Sequence, residues 1–166
     1  MSKVKELFPS SDANNILGQI DWDTWIMTPG LPPVKNDFSN IYTTEAQQRA
    51  SDIFNQQPKE DFAKVFGDWN TNVKLVFLGL IKNNLEKFTE ENYQYMRDNL
   101  ISDKSFNSEI KNIWYQIALN SKHSDVVPDV KVFLANIGRM KYIRPVYSSF
   151  GRLNKDDAYK TFQANK

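Results

Sequence analysis

The stretch GRMKYIRP, residues 138 to 145, is the part of this chain best equipped to do chemistry, because it sets three cations into eight residues between a glycine and a proline. From Lys131 to Arg152 there are five basic residues, Lys131, Arg139, Lys141, Arg144 and Arg152, and no Asp or Glu. The whole chain carries 21 Lys and Arg against 20 acids, so the excess is local and suits an anion. Arg139 offers a planar fork that matches a carboxylate, and Lys141 offers a point charge. Two residues apart in a turn, both can converge on one spot. The competing reading puts Arg139 and Lys141 at or just past a helix end, where cations stabilise the negative carbonyl pole and solvate the surface.

Other chemistry is thinly represented. His123 is the one histidine, and neither an HExxH nor a His pair occurs, so no zinc site is expected here. It reads as a solvent-exposed turn residue. A Ser/His/Asp arrangement would have to recruit the same His123, and there is no GxSxG elbow. The absence of cysteine removes thiolate catalysis and thiolate metal sites. Glu90-Glu91 and Asp156-Asp157 follow Thr89 and Asn154, where acids favour the positive end of a helix, and Glu60-Asp61 after Pro58 reads the same way. The six glycines are scattered, so no phosphate loop exists. No catalytic set and no metal site are expected in the chain itself.

The elements that must position the basic stretch are helical. At 166 residues, with 40% hydrophobic and 25% charged residues, the chain has the size and composition of one globular domain. Apolar residues recur at intervals of three and four. Phe106, Ile110, Ile113, Trp114, Ile117 and Ala118 form one stripe, opened by Ser105 as cap. Val126, Val127, Val130, Phe133, Leu134 and Ile137 form a second, with Gly138 where a helix C-terminus favours glycine. Val73, Val76, Phe77, Leu80 and Ile81 form a third. Further helices are expected over 44–56 with Thr44 as cap, 58–66 with Pro58 in the first turn, 89–100 and 155–164. No window alternates and no Asn-Gly or Asp-Gly hairpin signal occurs. The fold is expected to be all-α, with short turns favouring antiparallel neighbours in a bundle or a coiled stack of helix pairs.

Residues 28–40, TPGLPPVKNDFSN, break this pattern. Pro29-Gly30 suits a type II turn and Pro32-Pro33 hold the chain extended, so this is an ordered loop or strap, or else a linker. Just upstream, Trp22 and Trp25 lie three apart on one helical face, a packing device. With no field to steer it to nucleic acid, no apolar run of the kind a signal peptide needs and no stretch near the ~18 apolar residues of a membrane span, the chain is expected to be soluble and cytoplasmic, with no nucleic-acid or membrane partner.

GRMKYIRPVY together with IDWDTWIMTPGLPPVK resembles the C-terminal domain of leukotriene A-4 hydrolase and related zinc aminopeptidases of the gluzincin class. FNSEIKNIW and the closing AYKTFQ occur in the family's order. The resemblance implies a single domain over 1–166, a Pro-rich loop at 28–40 followed by a helical stack over 41–166. Its antiparallel helix pairs would form a right-handed, armadillo-like superhelix closing one side of an active-site cleft. It further implies that zinc belongs to the parent enzyme's catalytic domain and not to this chain. The partners implied are the enzyme's own catalytic and N-terminal domains and short peptides with a free carboxylate. Arg139 and Lys141 stand where family members bind the carboxylate of a peptide or of a fatty-acid epoxide, and Arg144 is read as structural. The alternative is a free-standing helical interaction module whose basic turn binds a partner's acidic tail.

Overall fold

The structure is a computed structural model and describes residues 6, 11–37, 40–58, 60–101 and 107–165. The chain divides into two compact units, residues 1–38 and 39–166.

In the first unit α1 (Ser11–Gly18) and α2 (Trp22–Met27) precede a non-helical strap. Asp21 caps α2 by accepting from the Thr24 amide at 3.0 Å. The Trp22 indole N–H donates to the Leu17 carbonyl at 3.1 Å, tying α2 back to α1. Neither Trp22 nor Trp25 is buried, so the expected packing device contributes this one hydrogen bond. Gly30 has φ 122°, a conformation that disfavours any side chain, which agrees with a turn at Pro29-Gly30.

The second unit carries α3 (Ile41–Phe54), α4 (Phe62–Asp68), α5 (Thr71–Lys82), a 3-10 turn at Leu85–Lys87, α6 (Glu90–Asn99), α7 (Ser108–Asn120), α8 (Val127–Asn136), α9 (Met140–Leu153) and α10 (Lys155–Ala164). No strand occurs among the described residues. Several helix starts follow the expected chemistry. Thr89 caps α6 in a reciprocal capping box with Asn92, and Asn154 caps α10 through the Asp157 amide. Other boundaries differ. The cap of α3 is Asn40, boxed with Thr43, not Thr44, because only the earlier residue adopts the extended backbone a cap requires. Pro58 lies ahead of α4, outside its first turn. Asn107 caps α7, while the expected cap Ser105 and the stripe residue Phe106 lie outside the described residues. Gly138 does not take a positive φ, and α8 ends instead on Ile137 in extended conformation.

The largest difference is α9. The basic stretch is not a turn but the opening of a helix of fourteen residues with Pro145 inside it. Pro145 has no N–H, so the Lys141 carbonyl loses its intrahelical donor, a cost of about 3 kcal/mol in a regular helix interior. The stripe Tyr142, Val146, Ser149 and Phe150 offsets it, all four being buried and Val146 and Phe150 completely so.

α4, α6 and α8 connect a row in which α3 packs on α5, α5 on α7, α7 on α9 and α9 on α10. Two polar ties show the direction of α7 and α9. At their beginnings Glu109 accepts from Lys141 and Tyr142. At their ends the Asn120 amide donates to Ser149 Oγ at 3.1 Å. The two helices therefore run the same way, and α8, which joins the end of one to the start of the other, must run back. At the other end of the row, Phe62, Phe66, Trp69 and Phe77 lock α4 to α5 through edge-on ring contacts, with Phe62 and Phe77 centroids 5.3 Å apart.

Phe77→Ala should lower unfolding free energy by about 3–5 kcal/mol, measured by urea denaturation. The Tyr93 phenol is raised in pKa, first by burial and then by its hydrogen bond to Asp125. The folded protein keeps the phenol protonated where the unfolded chain ionises it. Stability present below about pH 10 is thus lost as pH rises further, and Tyr93→Phe should show a smaller loss in the same titration.

Candidate functional site

Arg139 is the N-cap residue of α9, with φ −79° and ψ 118°, and its side chain makes no capping bond. Its carbonyl accepts from the Tyr142 amide at 2.9 Å and the Ile143 amide at 3.1 Å, which closes the first turn. No acid stands in that turn. The helix therefore presents its positive end, with its leading amides uncapped by any side chain, together with two cationic side chains. This overturns the reading of these cations as stabilisers of a C-terminal carbonyl pole: they stand at the opposite pole, where a helix disfavours positive charge.

Lys141 Nζ donates to Glu109 Oε1 at 2.6 Å, and the Tyr142 hydroxyl donates to the same oxygen at 2.8 Å. Glu109 lies in the first turn of α7, so one carboxylate joins the beginnings of two helices. The carboxyl is held below the usual range by the Lys141 bond first and the Tyr142 bond second, with the Arg139 charge adding to both. The Arg139 guanidinium and the Lys141 ammonium each lie 5.5 Å from the centroid of the Tyr142 ring, so the structure brings the two expected site residues around one side chain. Arg139 is exposed and takes part in none of the ion pairs among the described residues. Lys141 is half exposed and paired. Arg144 lines a shallow apolar groove of about 410 Å³ with Met140, Ile143, Tyr147, Tyr159 and Phe162.

Sequence reasoning passed over Glu109 and Tyr142. Tyr142 could have been found from its place in the α9 stripe. Glu109 had no such signal, since its partners lie more than thirty residues away.

His123 is not the solvent-exposed residue expected. Its ring stacks on Tyr93 at 3.5 Å and 4°, and Tyr93 in turn stacks on Trp114 at 5.3 Å and 3°, while Nδ1 lies 3.6 Å from Glu90 Oε2. The imidazole is a packing element. Glu91 is lowered in pKa, first by a backbone N–H at the start of α6 and then by Thr89, as a capping acid should be. Among the described residues no group of three or more His, Asp or Glu could hold a metal ion.

The sequence profile described as "Leukotriene A4 hydrolase, C-terminal" matches residues 69–166, from the end of α4 through α10. The chain belongs to this family. Beyond the matched region, similarity extends over nearly the whole sequence. Leucine aminopeptidase 2 of Chaetomium globosum is 35% identical over 153 residues, covering 90% of this chain and 24% of that protein. Leucine aminopeptidase 2 of Ajellomyces capsulatus is 31% identical, covering 99% of this chain and 27% of that protein. The native leukotriene A4 hydrolase of Saccharomyces cerevisiae superposes with a TM-score of 0.83 at 25% identity, over 98% of this chain and 29% of that one. The chain thus spans about a quarter of the length of the relatives it matches, and it corresponds to the C-terminal domain of an enzyme of this kind.

The Glu109 carboxyl should titrate below about 4.3, the ordinary glutamate value, when followed by carbon NMR through an acid titration. Its pairing supports the fold above that ordinary value and is lost as pH falls through the depressed one. Lys141→Met should move the midpoint back up.

Proposed function

We propose that this chain is the C-terminal helical domain of a zinc aminopeptidase similar to leukotriene A4 hydrolase, and that it binds the free carboxylate of a short peptide at the N-terminus of α9. The observation that carries this reading is the convergence of Arg139 and Lys141 on Tyr142 at a helix start with no acid in its first turn. A carboxylate arriving there meets an exposed guanidinium that forms two parallel hydrogen bonds, and a helix end whose amides and dipole favour negative charge.

The contribution to catalysis is positional. Holding the far end of a peptide sets the distance at which its amino end meets the hydrolytic centre, and such restraint supplies rate by removing orientational freedom. The partners in this reading are the enzyme's own preceding catalytic and N-terminal domains, with this domain closing one side of the cleft between them. A zinc ion in the catalytic domain would activate the attacking water. The residues of this chain supply no ligand set for it among those described, and their part is to bind and orient.

In the polypeptide that carries this chain as its C-terminal domain, Arg139→Ala should cost about 2–5 kcal/mol of binding to a free carboxylate. That corresponds to a loss of about thirtyfold or more in kcat/KM for a tripeptide. Turnover of the same tripeptide as its C-terminal amide should be unchanged. Equal losses on both substrates would refute the clamp.

A further inference from the structure

We propose that Glu109 is a positioning and specificity-determining residue of this anion site, holding Lys141 and Tyr142 in place and reducing the site's charge so that it selects a singly charged terminus over a doubly charged one. The inference rests on the reading of Arg139 and Lys141 as the carboxylate site.

The geometry is particular. One oxygen, Oε1, accepts from two consecutive residues of α9, at 2.6 Å from Lys141 Nζ and 2.8 Å from the Tyr142 hydroxyl. Tyr142 is buried and the Glu109 side chain is 29% exposed, so this carboxylate is not a freely rotating surface group. An exposed Lys–Glu pair alone would contribute little. Here the second donor, coming from a buried ring, fixes where the carboxylate stands, and the carboxylate fixes where the ammonium stands. Arg139, exposed, lies with its guanidinium 5.5 Å from the centroid of that same ring, as the Lys141 ammonium does.

The charge balance follows from the same contacts. Two cations at a helix N-terminus would form a strongly positive site, favouring phosphate-like dianions over carboxylates. Helices ordinarily temper this end with an acid in the first turn, and α9 has none of its own. The acid comes instead from the first turn of α7, approaching from the side. It neutralises Lys141 and leaves the amide end of α9 and the Arg139 fork uncapped by any side chain. Arg139, in none of the observed ion pairs, is left to bind directly, while Lys141 supplies a tethered and partly compensated charge.

The test compares three matched competitors in the polypeptide carrying this chain as its C-terminal domain: a tripeptide, its C-terminal amide and its C-terminal phosphonate, each measured by inhibition constant. Glu109→Gln keeps the shape and removes one negative charge. The phosphonate should gain on the carboxylate by about three- to tenfold, the size expected for one partly screened charge at this range, while the amide is unchanged. Glu109→Asp should retain the original preference for the carboxylate. Arg139→Ala, measured alongside, separates the two claims. If it weakens the carboxylate relative to the amide but Glu109→Gln leaves the phosphonate-to-carboxylate ratio unmoved, the specificity role is overturned and the clamp stands. If Glu109→Gln weakens all three competitors equally, Glu109 is only structural and the proposal falls. If Arg139→Ala does not distinguish carboxylate from amide, the clamp itself fails and this inference with it.

Discussion

Two helix beginnings lie side by side in this protein, and the single carboxylate oxygen between them sets the geometry of the site. The positive ends of α7 and α9 would repel one another, and two cations on α9 add to that repulsion. Glu109 on one helix, accepting from Lys141 and Tyr142 on the other, converts the repulsion into a tie. At the far ends of the same helices Asn120 donates to Ser149 and accepts from Arg152. Between these ties the completely buried Val146 and Phe150 of α9 hold the register. A slip by one residue would turn that stripe away from the core and separate Lys141 and Tyr142 from their acceptor together.

Pro145 belongs to this arrangement. It removes a hydrogen bond one turn into α9, so the first turn depends more on its contacts with the neighbouring helix, the bonds of Lys141 and Tyr142 to Glu109. The site is built where the backbone of its own helix is weakest and the neighbouring helix compensates. The one histidine stacks on Tyr93 with Nδ1 3.6 Å from Glu90, and the paired acids at the starts of α6 and α10 lie in first helical turns, Asp157 accepting from Lys131 at 2.7 Å.

Much of the architecture was legible from periodicity and caps. The starts of α6 and α10 could be read from Thr89 and Asn154, and the body of α5 from its apolar stripe, because these features depend on residues within one or two turns of each other. The failures have equally local causes. Gly138 and Pro145 both argue against a helix when taken singly, and together they concealed α9, whose stripe includes a serine buried against Asn120. His123, polar and in a turn, gave no indication of its stacking, because the ring it meets comes from a helix thirty residues earlier.

Composition, spacing and the GRMKYIRP motif by themselves determined that the chain is helical, that it has no cysteine and a single histidine, and that Arg139 and Lys141 are its anion-binding candidates. These are properties of residue type and short-range order. Only the tertiary structure decided that the two cations stand at the positive end of a helix and not the negative one, that both lie beside the Tyr142 ring, and that Glu109 accepts from Lys141 and Tyr142. Those outcomes depend on which helix starts come to lie together, and that is settled by burying side chains from distant parts of the chain in one core.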